Sequence, residues 1–374
     1  MKIILYIISY FFIFIKILKV NLLQWGDGDT FAGYILEKTQ IDFLSLFFKS
    51  VNSNYIFVTG TNGKTSTVSL INHILKSQNY SVLSNSTGSN LKRGILSAFI
   101  NNLPKFYSKN PDFCVLEVDE ASVPLILKSF PKNKIFSLMV LNLSRDQLDR
   151  YGEIDTLVVE INKSLKFFKN YNLILNKGPF FKHFVANPIL VKKHILNNNL
   201  QNILKIKQYS HLSTNLDFIL TLFDILNIKI NLSSLSEFSF VAGRGSLYKK
   251  NNVSYEIHLT KNPVSFDNNL LYLSGKEYEN ILIFVNDNIP DGRDVSWFYD
   301  INYSYLKKIL KNKSVYLAGT RSYDFYNFLN ILNIESFNLF NLDNSFDFFK
   351  KTGAKKIFVL SNYSATMEIV KCLK

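Results

Sequence analysis

The sequence predicts an α/β protein in which parallel strands alternate with helices, and three observations carry that expectation. Four apolar residues, Tyr55 to Val58, run straight into Thr-Gly-Thr-Asn-Gly-Lys-Thr, after which apolar residues recur at Val68, Ile71, Ile74 and Leu75. That order is strand, tight loop, helix. Strand followed by helix then repeats: "YSVLSN" before a helix near Leu91 to Ile100, "FCVLEV" before "ASVPLILKSF", and "IFSLMVLNL" before "RDQLDRYGEIDTLVVEINKSLKFF". Such spacing builds βα units on a parallel sheet. Past residue 236, "ILIFVND", "SVYLAGT" and "KIFVLSN" are three further apolar strands separated by helical stretches, a second and smaller α/β domain.

The amino end stands apart. "IILYIISYFFIFI", Ile3 to Ile15, is broken only by Ser9 and flanked by Lys2, Lys16 and Lys19. As a helix, its thirteen residues span only about 20 Å, short of a hydrocarbon core of about 30 Å. No small-residue cleavage site follows clearly, which disfavours a removable signal peptide. Residues 1–49 are therefore taken as an apolar helical segment. Its first 20 residues either pack on the body or make contact with a membrane surface.

In the first βα unit, glycines 60 and 63 let backbone N–H groups turn inward around phosphate oxygens, and the helix beginning near Thr65 adds its positive end. Lys64 would reach the β/γ-phosphates, and the Thr65 hydroxyl would sit on Mg²⁺. Gly60, Thr61, Asn62, Gly63, Lys64, Thr65 and Ser66 form the candidate ATP-binding loop. Val58 stands where the usual phosphate-loop pattern begins with glycine, so this is a variant. The bland reading is a glycine turn between strand and helix.

Functional groups of parallel sheets collect at the carboxyl ends of the strands. Residues 59–65, 87–90, 117–120 and 142–149 fall at four such ends and should converge on one crevice. Glu117, pointing from its strand, is the candidate Mg²⁺ ligand opposite Thr65. Asp119 and Glu120 serve equally well as caps of the next helix. Asp146 and Asp149 share one helix face, which a solvated surface explains as well as a site does.

Composition narrows the function classes. Hydrophobic residues make up 47% and aromatics 15% of 374 residues, which excludes a disordered chain and allows two or three domains. The formal charge of +14 favours anionic partners such as nucleotides or phospholipid headgroups. Nucleic acid ranks low, for there is no arginine-aromatic platform or recognised nucleic-acid module. Two cysteines, Cys114 and Cys372, exclude a four-cysteine zinc site and fit a reducing compartment. Cys114 alternates into a buried strand position, as a packed, inert thiol.

"TGTNGKTST", "VLEVDEAS" and "NLSRDQLDRYGEID", in this order, resemble the ATP-binding core of the Mur ligase family. The last is similar to the stretch where peptidoglycan amino-acid ligases carry Asp-His-Leu-Asp, with Gln147 in place of the histidine. "AGRGSLYKKNNVSYEIHLTKNP", "VNDNIPDGRDVSWFYD", "LAGTRSYDF" and "LSNYSATMEIV" resemble the MurT-type ligase subunits of lipid II isoglutaminyl synthase, which also have glutamine at the position of Gln147. The resemblance implies a Mur-ligase-type P-loop ATPase domain over residues 50–235 with a reduced central part, and a Rossmann-like domain over 236–374. It further implies ATP-dependent amidation of the D-glutamate α-carboxylate of the lipid II stem peptide, through an acyl phosphate attacked by ammonia.

Neither cysteine has a recognisable nucleophile context, so ammonia must come from solution or from a partner. The resemblance names that partner as a GatD-like glutaminase and makes Asp294, in "DGRDVSW", the acidic member of its triad. Without the resemblance, Asp294 reads as a turn aspartate. Arg244 and Asn215 match nucleotide-contacting positions of the family, and Lys261 and Asn262 belong to the motif opening the last domain. ATP and Mg²⁺ are implied and zinc is not. "NKGP", Asn176 to Pro179, lacks the two acidic residues usual in Mur ligases, which puts adenine recognition in doubt. Two other functions stay open: a stand-alone Mur-type or folylpolyglutamate-type amino-acid ligase, and a non-catalytic ATP-binding scaffold. The ATP requirement points to the cytoplasm, and a lipid-bound substrate to the inner face of the plasma membrane.

Overall fold

In the computed structural model, the chain divides into two compact units, Met1–Ile206 with His211–Phe238, and Lys207–Ser210 with Ser239–Lys374. The structure describes residues 2–23, 30–85, 89–143, 154–177, 181–184, 188–192, 210–230, 232–238, 243–288, 291, 295–340, 349–350 and 353–373.

The first unit opens with α1 (Lys2–Leu23), α2 (Phe31–Glu37) and α3 (Phe43–Ser50), the last begun by Asp42, whose carboxylate accepts from the Ser45 N–H at 3.3 Å. Alternating strands and helices follow: β1 (Asn54–Thr59), α4 (Lys64–Ser77), β2 (Val82–Ser84), α5 (Lys92–Asn102), β3 (Phe113–Glu117), α6 (Val123–Ser129), β4 (Phe136–Val140), α7 (Ile154–Leu165), β5 (Asn172–Leu175), β6 (Ile189–Leu190) and α8 (Ser210–Ile225). The six strands form one parallel sheet in the order β2-β3-β1-β4-β5-β6. β1, the strand that feeds the glycine loop, lies between β3 and β4. The carboxyl ends of all three therefore meet beside the loop.

Period-two alternation along β1 divides the core. Tyr55 and Phe57 point to one face, where Phe48, Phe99, Phe130 and Phe136 pack edge-on or stacked with ring centroids 5.0–6.3 Å apart. Ile56 and Val58 point to the other face, against Val68, Ile71, Ile74 and Leu75 of α4 and Leu216, Ile219 and Leu222 of α8. Cys114 is buried in β3, and burial pushes its thiol up to about 12. That makes it the inert thiol expected of it.

The amino-terminal helix is neither wholly buried nor a span. Leu5, Tyr6 and Phe12 join the aromatic core face, and the Tyr6 hydroxyl donates to the Phe106 carbonyl at 2.6 Å. The opposite side of α1 remains exposed. No described helix is long and apolar enough to cross a membrane.

The second unit holds β7 (Arg244–Lys250), β8 (Val253–Leu259), α9 (Pro263–Ser274), β9 (Asn280–Phe284), α10 (Tyr303–Leu310), β10 (Ser314–Ala318), α11 (Ser322–Ile331), β11 (Phe337–Phe340), β12 (Lys356–Ser361) and α12 (Tyr363–Leu373). Its sheet runs β11-β10-β9-β12-β8-β7, parallel except for β7 against β8. The three apolar runs read as strands are β9, β10 and β12, side by side. Asn262 caps α9: its side chain accepts from the Ser265 N–H at 2.8 Å, and the Ser265 hydroxyl accepts from the Asn262 N–H at 3.1 Å.

A buried carboxylate holds one layer of this unit together. Glu256 on β8 lies 3.0 Å from His258 Nε2 and accepts from the Tyr272 hydroxyl at 2.5 Å and from the Tyr278 hydroxyl. Burial alone would raise its pKa, but the histidine and the two hydroxyls hold it at about 2. A carboxylate depressed in the folded state stabilises above the ordinary glutamate range, near 4.3, and that stabilisation disappears as pH falls through about 2. Glu256→Ala strands these donors in an apolar layer and is expected to cost about 3 kcal/mol. Glu256→Gln should flatten the fall of Tm with acid, read by thermal melts across that pH window.

Candidate functional site

The glycine loop is shaped by two close approaches. Gly60 adopts φ +131°, and a Cβ there would stand 2.8 Å from the Asn142 carbonyl oxygen. Gly63 adopts φ +88°, and a Cβ would stand 2.7 Å from Asn215 Nδ2. Any side chain at either place meets both backbone strain and a neighbour. The loop is thus threaded between Asn142, just past β4, and Asn215, on α8. Asn142 also fixes it by hydrogen bonds: its carbonyl accepts from the Thr61 N–H at 3.0 Å, its Oδ1 from the Asn62 N–H at 2.8 Å, and its Nδ2 donates to the Asn62 carbonyl at 2.8 Å.

α4 begins at Lys64, with Gly63 as its N-cap. The first N–H groups of a helix have no intrahelical acceptor, so this end presents donors and positive potential to an anion. Thr65 is half-buried here and Ser66 buried. Lys64 is buried; its ammonium donates to the Gly60 carbonyl at 2.6 Å and pairs with Glu120 Oε2 at 3.0 Å. Burial works against the charged form, but Glu120, then Glu117 and Asp119, outweigh it and raise the lysine pKa above its ordinary value. The ammonium is held charged.

Glu117 ends β3, and its backbone is clamped by Asn85: Asn85 Oδ1 accepts from the Glu117 N–H and Asn85 Nδ2 donates to the Glu117 carbonyl, both at 2.8 Å. One oxygen of its buried carboxylate accepts from Asn90 Nδ2 at 3.3 Å. The helical cap expected of Asp119 or Glu120 is not what these side chains make: the short 3-10 turn at 120–122 has no side-chain cap, and Glu120 turns to Lys64 instead. Sequence reasoning put Glu120 and Asn142 in stretches that converge on the crevice but did not foresee their bonds to Lys64 and to the glycine loop. The signal for Glu120 was present, as three acidic residues within four positions, Glu117, Asp119 and Glu120, end and follow β3.

Asn215 is buried on α8 beside Gly63, and its Nδ2 makes no hydrogen bond among the described residues. A donor buried without an acceptor suits a polar ligand. Arg244 lies in the second unit as the first residue of β7, in register with His258 of β8. Thr87, Asp146, Gln147, Asp149 and Asp294 fall outside the described residues. The residues bracketing Asp294 are described. Asp291 accepts from the N–H of Ser364 at 2.8 Å and from its hydroxyl, and Val295 precedes the turn at 296–300.

These residues fit a nucleotide triphosphate and its cation: a tight loop with glycines at positive φ, a helix N-terminus, a charged lysine and buried carboxylates beside it. No group of three His, Cys, Asp or Glu forms a cation cage among the described residues. A nucleotide-bound Mg²⁺ needs only one or two protein ligands, the rest being phosphates and water. Thr65 and Glu117 are of the right chemistry for that.

Comparison with known proteins agrees with this geometry. Residues 58–239 match the Mur ligase middle domain, and residues 259–366 match the MurT ligase C-terminal domain. The chain is 28% identical over 365 residues to the MurT subunit of lipid II isoglutaminyl synthase (glutamine-hydrolyzing) of Staphylococcus aureus strain COL, covering 79% of this chain and 81% of that protein. Among solved structures it superposes on MurF from Acinetobacter baumannii with a TM-score of 0.65 at 12% identity, over 88% of this chain and 78% of that one. It superposes on MurF ligase from Thermotoga maritima, in complex with ADP, with a TM-score of 0.62 at 15% identity, over 91% and 83%. Parallel sheet, glycine loop and both domain matches lead to one conclusion: the chain belongs to the Mur ligase family and carries a MurT-type C-terminal domain.

Proposed function

We propose that this chain is the ligase subunit of an amidotransferase that converts the D-glutamate α-carboxylate of the lipid II stem peptide into an amide. The observation that carries this reading is the buried Lys64 ammonium at the start of α4, kept charged by Glu120. The reaction runs in two steps. A carboxylate oxygen of the substrate attacks the γ-phosphorus of ATP, breaking its bond to ADP and forming an acyl phosphate. Ammonia then attacks the acyl carbon, the C–O bond to phosphate breaks, and a proton is released from nitrogen.

An ordinary carboxylate is a poor electrophile, and phosphate as leaving group removes that obstacle. Lys64 takes up negative charge on the phosphoryl group in flight, exchanging its carboxylate partner for phosphate oxygens. The α4 N-terminus orients the same oxygens. Thr65 and Glu117 would hold Mg²⁺, which would further neutralise phosphate charge. Asn215 and Arg244 bind nucleotide. On this reading residues 50–235 form the ATP-binding domain and 236–374 the MurT-type domain.

Ammonia is supplied by a GatD-like glutaminase, to whose triad Asp294 contributes the acid. The support is the MurT-type domain match and the lack of a reactive thiol: Cys114 is inert, and Cys372 has no catalytic neighbours in sequence. The work is done in the cytoplasm, where ATP is available, at the inner face of the plasma membrane, where a lipid-linked precursor is presented.

The test is amidation of lipid II by the purified chain with ATP, Mg²⁺ and ammonium chloride, repeated with glutamine and the co-purified glutaminase. Product from both nitrogen sources is the expected result. ATP binding with no product from either source would select the scaffold reading. Partner-independent addition of an amino acid would select the stand-alone ligase.

A further inference from the structure

Helix α1 carries two apolar faces, and the body covers only one. Leu5, Tyr6, Ser9 and Phe12 are buried in the first unit, whereas Ile3, Ile4, Ile7, Tyr10, Phe11, Phe14 and Ile17 are 52–67% exposed. At 3.6 residues per turn these seven side chains occupy an arc of about 140°. The arc holds no charged residue. Scattered exposed hydrophobics need no explanation, but seven large ones contiguous along one helix exceed what a monomer leaves to water.

We infer that this stripe is a docking face for an anionic phospholipid surface, on which α1 lies flat in the interface. Three observations select lipid over other occupants. First, the helix cannot enter as a span, because its other side is committed to the protein core and no described helix is long and apolar enough to cross a membrane. Flat immersion of the free face is what remains to it.

Second, the charges match an anionic surface. Met1 to Gly26 contains no acidic residue and three lysines, in a chain of net charge +14. At the amino end of the stripe, Lys2 lies over the Tyr6 ring at 5.9 Å and donates to Asn110 Oδ1 at 3.2 Å. Tyr6 in turn bonds the carbonyl of Phe106, whose neighbourhood carries the exposed Lys105 and Lys109. Asp112, paired with Lys109 at 3.3 Å, is the acid that faces this group.

Third, the border is aromatic and amphipathic. Tyr107, 62% exposed, packs edge-on to Tyr6 with centroids 4.8 Å apart, and Tyr10 lies toward one margin of the arc. Tyrosines favour the headgroup level, where ring and hydroxyl find different surroundings. The stripe itself offers a protein partner almost no hydrogen-bonding group.

The experiment is flotation of the full-length chain with phosphatidylcholine vesicles, with and without phosphatidylglycerol. Binding is expected to the anionic vesicles and to weaken with salt. Substituting Ile7→Ser, Phe11→Ser and Phe14→Ser together should lower partitioning at least about ten-fold while Tm stays at the wild-type value, since all three side chains face out. Should that variant misfold, the single Phe11→Trp chain decides: its emission should shift to the blue and be quenched by brominated lipid. Absent flotation, an undiminished triple variant or an unshifted Trp emission overturns the inference. So does a concentration-dependent dimer, lost in the triple variant, that does not float, for then a second copy is the occupant. Flotation is independent of chemistry: a chain that floats yet makes no amide fails the catalytic reading alone.

Discussion

Lys64→Ala is expected to lower ATP-dependent amidation with ammonia by roughly 10³-fold or more. The side chain it removes is the positive charge nearest the helix end at which phosphate would lie. Loss of that charge raises the barrier of phosphoryl transfer rather than merely weakening nucleotide binding, so the fall should be in kcat more than in KM. The same substitution leaves Glu120 buried without its cation, a change that typically costs about 3–5 kcal/mol of stability. Activity and folding must therefore be separated. A double variant, Lys64→Met with Glu120→Gln, removes both charges and should recover most of the lost Tm while remaining inactive. If the double variant regained turnover, Lys64 would be a structural ion-pair partner and its phosphate role would be wrong.

Asp294→Asn is expected to act on one nitrogen source only. Removing the carboxylate from a nucleophile-histidine-acid triad leaves geometry nearly intact but loses the correct histidine tautomer and its cation stabilisation, an effect of about 10⁴-fold. Glutamine-driven amidation in the presence of the glutaminase should collapse on that scale, while ammonium-driven amidation stays at the wild-type rate. Equal loss with both sources would place Asp294 in the ligase reaction, and no loss with either would return it to a turn residue. The described surroundings bear on how to read a partial result. Asp291 is tied to Ser364 at the start of α12, and Asn288 Nδ2 donates to the same Ser364 hydroxyl at 2.9 Å. A truncation that removed Asp291 would also break that tie, so Asp294→Asn is the cleaner probe.

Much of the fold was legible because it depends on local pattern. The apolar run before the loop and the spacing of Val68, Ile71, Ile74 and Leu75 are enough to place β1 and α4, and the helix begins within one residue of where the pattern puts it. The unbroken apolar run Tyr55 to Val58 suits the strand covered on both faces that the structure shows. Motif order is local too, which is why the resemblance to Mur ligases could be read from short stretches. The amino-terminal run was ambiguous for a physical reason: an all-round apolar helix satisfies a protein core and a lipid interface equally. Only packing shows that Leu5 and Phe12 face the body while Ile7 and Phe11 do not.

What the sequence by itself determined is the chemistry available: a glycine loop with a lysine and a threonine at a helix start, acidic residues at the end of a later strand, and an excess of positive charge. What the tertiary structure alone decided is which of these groups act on one another. Strand order puts β3 directly beside β1, and that adjacency turns Glu120 from a candidate cap into the partner of Lys64, 56 residues away. The turn after β4 brings Asn142 onto the loop, and α8 sets Asn215 against Gly63. Pairings of this kind depend on distance in space across a parallel sheet, where neighbouring strands are joined through intervening helices. Residue spacing along the chain carries no record of them.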